Sequence, residues 1–184
     1  MNELTMELRA ATVAERTITG VVAPYDEVSY LTPHRKGERV KRGAFAKSIA
    51  ERSTRIPLFL AHEHGIPVGL STLWSDDATG LTASFRVAEG ARGDEALEAA
   101  SDGRLGGLSV GFVPVKQLRG RDGVMEVREG KLMEVSLTAL PAYDSAAILS
   151  VRAARRDPIA EMLERIGPTP EIDLSPVALP GLAW

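Results

Sequence analysis

Residues 107–140 read GLSVGFVPVKQLRGRDGVMEVREGKLMEVSLTAL. Three strand candidates follow one another in this stretch, 107–115, 124–128 and 131–140, each rich in Val and other apolar residues close to alternation. Glu129-Gly130, between the second and third, has the composition of a compact hairpin turn. A doubly wound parallel sheet needs a helix in almost every connection, and those helices are missing. The stretch therefore argues for antiparallel or mixed β-structure.

The flanking sequence extends the pattern. Residues 15–24 (ERTITGVVAP) suit a strand that Pro24, Tyr25 and Asp26 break. Residues 27–43 carry His34 and a basic cluster (Arg35, Lys36, Arg39, Lys41, Arg42) in an irregular loop. A short helix is predicted over 43–52, with Phe45 and Ile49 at helical spacing and Ser48 and Arg52 outward. The apolar run 56–62 (IPLFLAH) reads as a buried strand, and another starts at 68–71. In 80–89, Leu81, Ala83, Phe85 and Val87 alternate with polar residues, the mark of a half-buried strand. Residues 92–101 form an Ala/Glu-rich helix ended by Asp102-Gly103, and 144–152 supplies a last strand. A helix over 157–166 begins at Asp157 and Pro158 and stops at Gly167; the final 17 residues hold four prolines and read as an extended tail. The expected fold is mainly β (α+β): a closed antiparallel or mixed β-barrel with two or three helices around it.

Composition bounds the chemistry. At 184 residues the chain suits one compact domain with tails. Its net charge of -3 supplies no bulk positive field for nucleic acid or an anionic membrane, and neither partner is expected. The N-terminus has no signal-peptide pattern, and no apolar run approaches the roughly 18 residues of a membrane span. The absence of cysteine excludes disulfides, a thiol nucleophile, a redox pair and thiolate zinc sites. Imidazole chemistry is confined to His34, His62 and His64.

Gly107-Leu108-Ser109-Val110-Gly111 matches G-x-S-x-G, but strand residues rather than a helix follow it, and no histidine lies downstream. Both features exclude an α/β-hydrolase elbow. A serine nucleophile needs a proton acceptor, so any histidine base must precede it in the chain. His62-Glu63-His64 offers one. On a strand the two imidazoles would share a face and could suit a metal, but no third strong ligand is evident and no metal site is expected. The alternative for the pair is a strand running into a loop, with one ring packed and the other wet. In 131–137 (KLMEVSL), Met133, Val135 and Leu137 are expected to face the core, with Glu134 and Ser136 on the other side. Glu134 is then either a solvated carboxylate or an acid that orients an imidazole.

Taken in order, these segments resemble the prohead (procapsid) maturation serine proteases of tailed bacteriophages. The resemblance rests on GVVAPY leading to KRGAF at 41–45, on LFLAH followed by PVG at 67–69, on GLSVGF at 107–112 and on EVSLTALPA at 134–142, together spanning about residues 15–150. It implies a herpesvirus-protease-like barrel, with residues 1–152 as protease domain and 153–184 as helix and Pro-rich tail. It also implies Ser109 as nucleophile, His62 as general base and Glu134 as third member, with His64 the runner-up base and no metal or organic cofactor. The implied activity is limited endoproteolysis in the immature capsid within the bacterial host cytoplasm. The substrate would be the scaffolding segment of the major capsid protein and, often in the family, the protease itself. Related herpesvirus enzymes work as dimers, so a homodimer is compatible. A different class of function is a non-catalytic capsid assembly or scaffold protein that keeps the barrel. Glu63 stands where the family often has Asp, and no long helical scaffold extension follows, which implies a separate scaffold or one on the capsid protein. Backbone amides near Gly106, Gly107 and Gly111 are candidate oxyanion donors, because glycine lets a backbone approach a ligand closely.

Overall fold

The computed structural model describes residues 16–31 and 33–153, so the helix expected over 157–166 and the Pro-rich tail lie outside the described residues. Among the described residues eight strands form one mixed sheet: β1 (Thr17–Pro24), β2 (Glu38–Val40), β3 (Pro57–Leu60), β4 (Gly69–Asp76), β5 (Gly80–Val87), β6 (Gly107–Arg119), β7 (Met125–Thr138) and β8 (Ile148–Arg152). Two described helices accompany them, α1 (Ala46–Arg52) and α2 (Ala91–Ser101). The ladder runs β2-β7-β3-β4-β5-β1-β8, with β6 on the other side of β7. Strands β2 and β3 pair parallel to β7 at its two ends; the remaining pairs are antiparallel.

The expected closed barrel is not what forms. β8 takes its ladder from β1, whereas β6 runs away along β7, so these strands meet only at an isolated bridge, Gly107↔Ala147. Backbone bonds from Leu108 N–H to Ala146 and from Ile148 N–H to Gly106 flank that bridge at the seam, and no ladder extends from it.

The predicted hairpin at Glu129-Gly130 is also absent. β7 runs straight through those residues, and the turn between β6 and β7 is at Gly120–Gly123, where Gly120 N–H donates to Val124 and Gly123 N–H to Gly120. Gly123 sits at φ +84°, a left-handed conformation that glycine adopts without steric penalty. Gly130 has a different purpose. A Cβ there would lie 2.8 Å from Phe45 Cε1, so its missing side chain admits the Phe45 ring, which packs edge-on against Phe112 with centroids 5.2 Å apart. Ser48, expected to point outward, is buried on the same side: its hydroxyl donates to Gly130 O at 3.3 Å and accepts from Leu132 N–H at 3.0 Å, tying α1 to β7.

The alternation read from 80–89 holds, with Leu81, Ala83, Phe85 and Val87 buried among Ile18, Leu58, Leu108 and Leu137. In β7 the alternation changes phase twice, at Arg128, which is skipped between the pairs Lys116↔Glu129 and Gln117↔Val127, and at Met133. Gly111 pairs with Glu134 but Phe112 with Leu132, so Met133 is the extra residue of a bulge and lies 40% exposed, while Leu132 takes the core position. Val135 and Leu137 remain inward as expected. In α2, Ala96, Leu97, Ala99 and Ala100 are buried, Asp94 in its first turn pairs with Arg16 at 2.7 Å, and Gly103 at φ +79° follows its end. Among the described residues no helix is long and apolar enough to cross a membrane.

Gly20 marks the closest approach at the seam. A Cβ there would lie 2.6 Å from Ala147 O, 2.8 Å from Leu108 Cδ1 and 3.0 Å from Ile148 Cα. Gly20→Ala is therefore expected to push β1 off the 146–148 segment and cost about 1–3 kcal/mol. Thermal unfolding checks this: the midpoint should fall by several degrees, and an unchanged midpoint contradicts the packing at the seam.

Candidate active site

The β6–β7 register decides which side chains can meet. Ser109 lies directly opposite Ser136, and Gly111 directly opposite Glu134. Directly opposed residues point to the same face, so Ser109, Ser136 and Glu134 share one face, and Leu108, Val110, Val135 and Leu137 fill the core from the other. On the far side of β7, Phe59 of β3 pairs with Ser136 and continues the row.

This polar face is covered. Ser109 is 5%, Glu134 7% and Ser136 0% exposed, which overturns the reading of Glu134 as a solvated outward carboxylate. A buried carboxylate needs hydrogen-bonding or charged partners, and Glu134 has both kinds within reach. Ser136 Oγ donates to its Oε2 at 2.8 Å. Its Oε1 faces His62 Nδ1 at 3.8 Å and His64 Nε2 at 3.7 Å. Gly111 provides the space: a Cβ there would fall 2.4 Å from Glu134 Oε1 and 2.8 Å from its Cγ.

The two histidines do not arrive on a strand, as their alternation suggests. β3 ends at Leu60, and the chain turns sharply with Ala61 at φ +47° and His62 at φ +61°. Consecutive non-glycine residues in the left-handed region cost about 1–2 kcal/mol each, and such strain persists only where the surroundings enforce it. Here Ala61 N–H donates to Leu137 O at 2.8 Å and Glu63 N–H to Leu60 O at 2.9 Å, which fixes the turn against β7. Glu63 pairs with Arg92 at the start of α2. The turn leaves the imidazoles half-exposed or more and 6.5 Å apart by centroid, with His64 edge-on to Phe59 at 5.3 Å.

The structure thus brings His62, His64 and Glu134 together and sets Ser109 one row from Glu134 on the same face. Among the described residues no hydrogen bond links Ser109 to either ring. His34 stands apart, 3.6 Å from Glu38 and 3.5 Å from Gln117. Two of the glycines considered as oxyanion donors have packing reasons of their own: Gly111 makes room for Glu134, and Gly107 for the Pro141 ring, whose Cγ would lie 2.7 Å from a Cβ. Sequence reasoning placed Ser136 on the face of Glu134 but gave it no role, and it missed Phe59. The i, i+2 spacing of Glu134 and Ser136 on a strand was the available signal for the first; for Phe59 there was none, because its neighbours come from β7 and from the turn beyond β3.

A histidine close to a buried carboxylate, beside a serine on a rigid sheet, is an arrangement suited to proton transfer and acyl transfer. Comparison with known proteins agrees in kind. Residues 4–162 match the family described as caudovirus prohead serine protease. No curated protein matches the chain. With the match extending from before β1 to beyond β8, the chain belongs to the caudovirus prohead serine protease family.

Proposed function

We propose that this protein is an endopeptidase that removes the scaffolding segment of the major capsid protein inside the procapsid, in the bacterial host cytoplasm, by a Ser109–His62–Glu134 acyl-enzyme mechanism. The observation that carries the mechanism is the buried Glu134 carboxylate facing His62 Nδ1 at 3.8 Å, on the sheet face that also bears Ser109.

His62 is favoured over His64 by which nitrogen meets the acid. A triad base turns Nδ1–H to the carboxylate and keeps Nε2, at the far end of the ring, for the nucleophile. His62 presents Nδ1 to Glu134, whereas His64 presents Nε2 and packs against Phe59. The proposed sequence of events follows. His62 Nε2 accepts the Ser109 proton as the hydroxyl attacks the scissile carbonyl, and the imidazolium is stabilised by Glu134. The same proton then passes to the leaving amine, and water, activated by the freed imidazole, releases the acyl group. Among the described residues no hydrogen bond joins the half-exposed His62 ring to Ser109, and catalytic hydrogen bonds of this type are often long in the free enzyme and tighten when substrate binds. Ser136 holds the second carboxylate oxygen, so the oxygen facing His62 stays in place.

Co-expression with the major capsid protein, followed by mass spectrometry of that protein's N-terminus, tests the reading. Wild type should yield a truncated capsid protein, with Ser109→Ala and His62→Ala each lowering cleavage by about 10⁴-fold or more and Glu134→Gln by about 10²- to 10⁴-fold. Full-length capsid protein in particles assembled with the wild-type chain would instead favour a non-catalytic assembly role. Gly111→Ala is expected to displace the Glu134 carboxylate, lower cleavage and move the imidazole ¹⁵N resonances of His62 and His64 together. Unmoved resonances contradict the position of Glu134 beneath both rings.

A further inference from the structure

His64 has no part in the proposed proton transfer, yet its Nε2 is as close to Glu134 Oε1 as the proposed base is. One ligating atom from each of His62, His64 and Glu134 lies within 4.8 Å of the other two. The pairwise distances to the carboxylate, 3.8 and 3.7 Å, are close to the separation of about 3.3–3.5 Å between donors around a tetrahedral zinc ion with bonds of 2.0–2.2 Å. Both imidazoles are exposed enough to rotate through the remainder. The carboxylate is the fixed member: it stands on β7, buried, with its other oxygen held by Ser136 in the way that outer hydrogen bonds orient metal ligands.

We propose that His62, His64 and Glu134 form a binding site for a divalent transition metal of the zinc class, and that occupation reversibly switches the protease off. Two imidazole nitrogens and one carboxylate oxygen, with solvent at the fourth position, is a donor set that zinc accepts, whereas magnesium and calcium require mainly oxygen. The switch follows from the tautomer. A neutral imidazole carries one ring proton, and a metal on His62 Nδ1 leaves that proton on Nε2. The nitrogen that the proposed mechanism reserves for Ser109 then donates a hydrogen bond where it must accept a proton, and Glu134 is withdrawn into the metal's coordination. His64 is the residue that distinguishes the two functions, being a ligand but no member of the triad. The inhibitory consequence rests on the triad reading; the binding does not.

The binding test uses full-length Ser109→Ala protein, titrated with Co²⁺ and followed by visible absorption, then with Zn²⁺ to displace it. One equivalent should give the intense band of a tetrahedral site, and adding His64→Ala or Glu134→Gln should abolish it. His64 is exposed in a turn, so its variant keeps the comparison valid if Glu134→Gln fails to fold. No stoichiometric band, or a band that survives both substitutions, overturns the site. With wild-type protein cutting capsid protein, Zn²⁺ should slow cleavage at least about tenfold, EDTA should restore it and Mg²⁺ should leave it unchanged, while the ratio of rates with and without Zn²⁺ should return to about one in His64→Ala, whatever its metal-free rate. Cleavage indifferent to Zn²⁺ in a protein that shows the cobalt band overturns the switch. A wild-type protein that cuts nothing without metal overturns the protease reading instead, and the cobalt titration still decides the site.

Discussion

Everything at the site depends on the register of one antiparallel ladder, β6 against β7. Ser109 faces Ser136 and Gly111 faces Glu134 only in this alignment. A slip of one residue would carry Ser136 and Glu134 to the core side and bring Val135 and Leu137 to the solvent side. The hydrophobic interior therefore enforces the polar site: Leu108, Val110, Val135 and Leu137 must be buried, and the alternate positions are then committed to the opposite face. The bulge at Met133 lets Leu132 rejoin the core without disturbing that commitment, and α1 anchors the strand just beyond it through Ser48.

Against this rigid floor the histidines are held by a strained element. The left-handed turn at Ala61 and His62 directly follows β3, whose parallel pairing to β7 aligns Phe59 with Ser136 and Leu60 with Leu137. The same strand therefore organises both halves of the site: β7 carries Glu134 and Ser136, and its edge places the turn that brings the imidazoles over them. A buried carboxylate with one oxygen held by a hydroxyl and the other facing the imidazole at 3.8 Å is well suited to stabilise a transient positive ring, because its fixed negative charge is already in place when the ring charge appears.

Much of the fold was readable from local pattern. β1, β3, β5, α1 and α2 appear close to where their apolar spacing puts them, because burial on one face is a local property of these segments. The errors share a cause, which is that a tertiary partner gave a residue its meaning. Gly130 looks like a turn but is a strand residue cleared for Phe45, and Ser48 looks like a surface polar residue but satisfies β7's backbone. The barrel failed to close because hydrogen-bond partnership along β8 is settled by β1, which no periodicity within β8 reveals. At the site, the spacing of the motifs singled out His62, His64, Ser109 and Glu134. The burial of Glu134 and its equal distance from both rings required the fold, since the covering turn lies some seventy positions away in the chain.

The central claim is that Ser109 is a nucleophile activated by the imidazole resting on Glu134. Labelling the full-length protein with a fluorophosphonate, which acylation-competent serines attack, and locating the adduct by peptide mass spectrometry tests this most directly. The account predicts a single adduct at Ser109 that forms in wild type and is lost in His62→Ala. An unlabelled Ser109 in folded wild-type protein, or labelling that proceeds equally without His62, would contradict it.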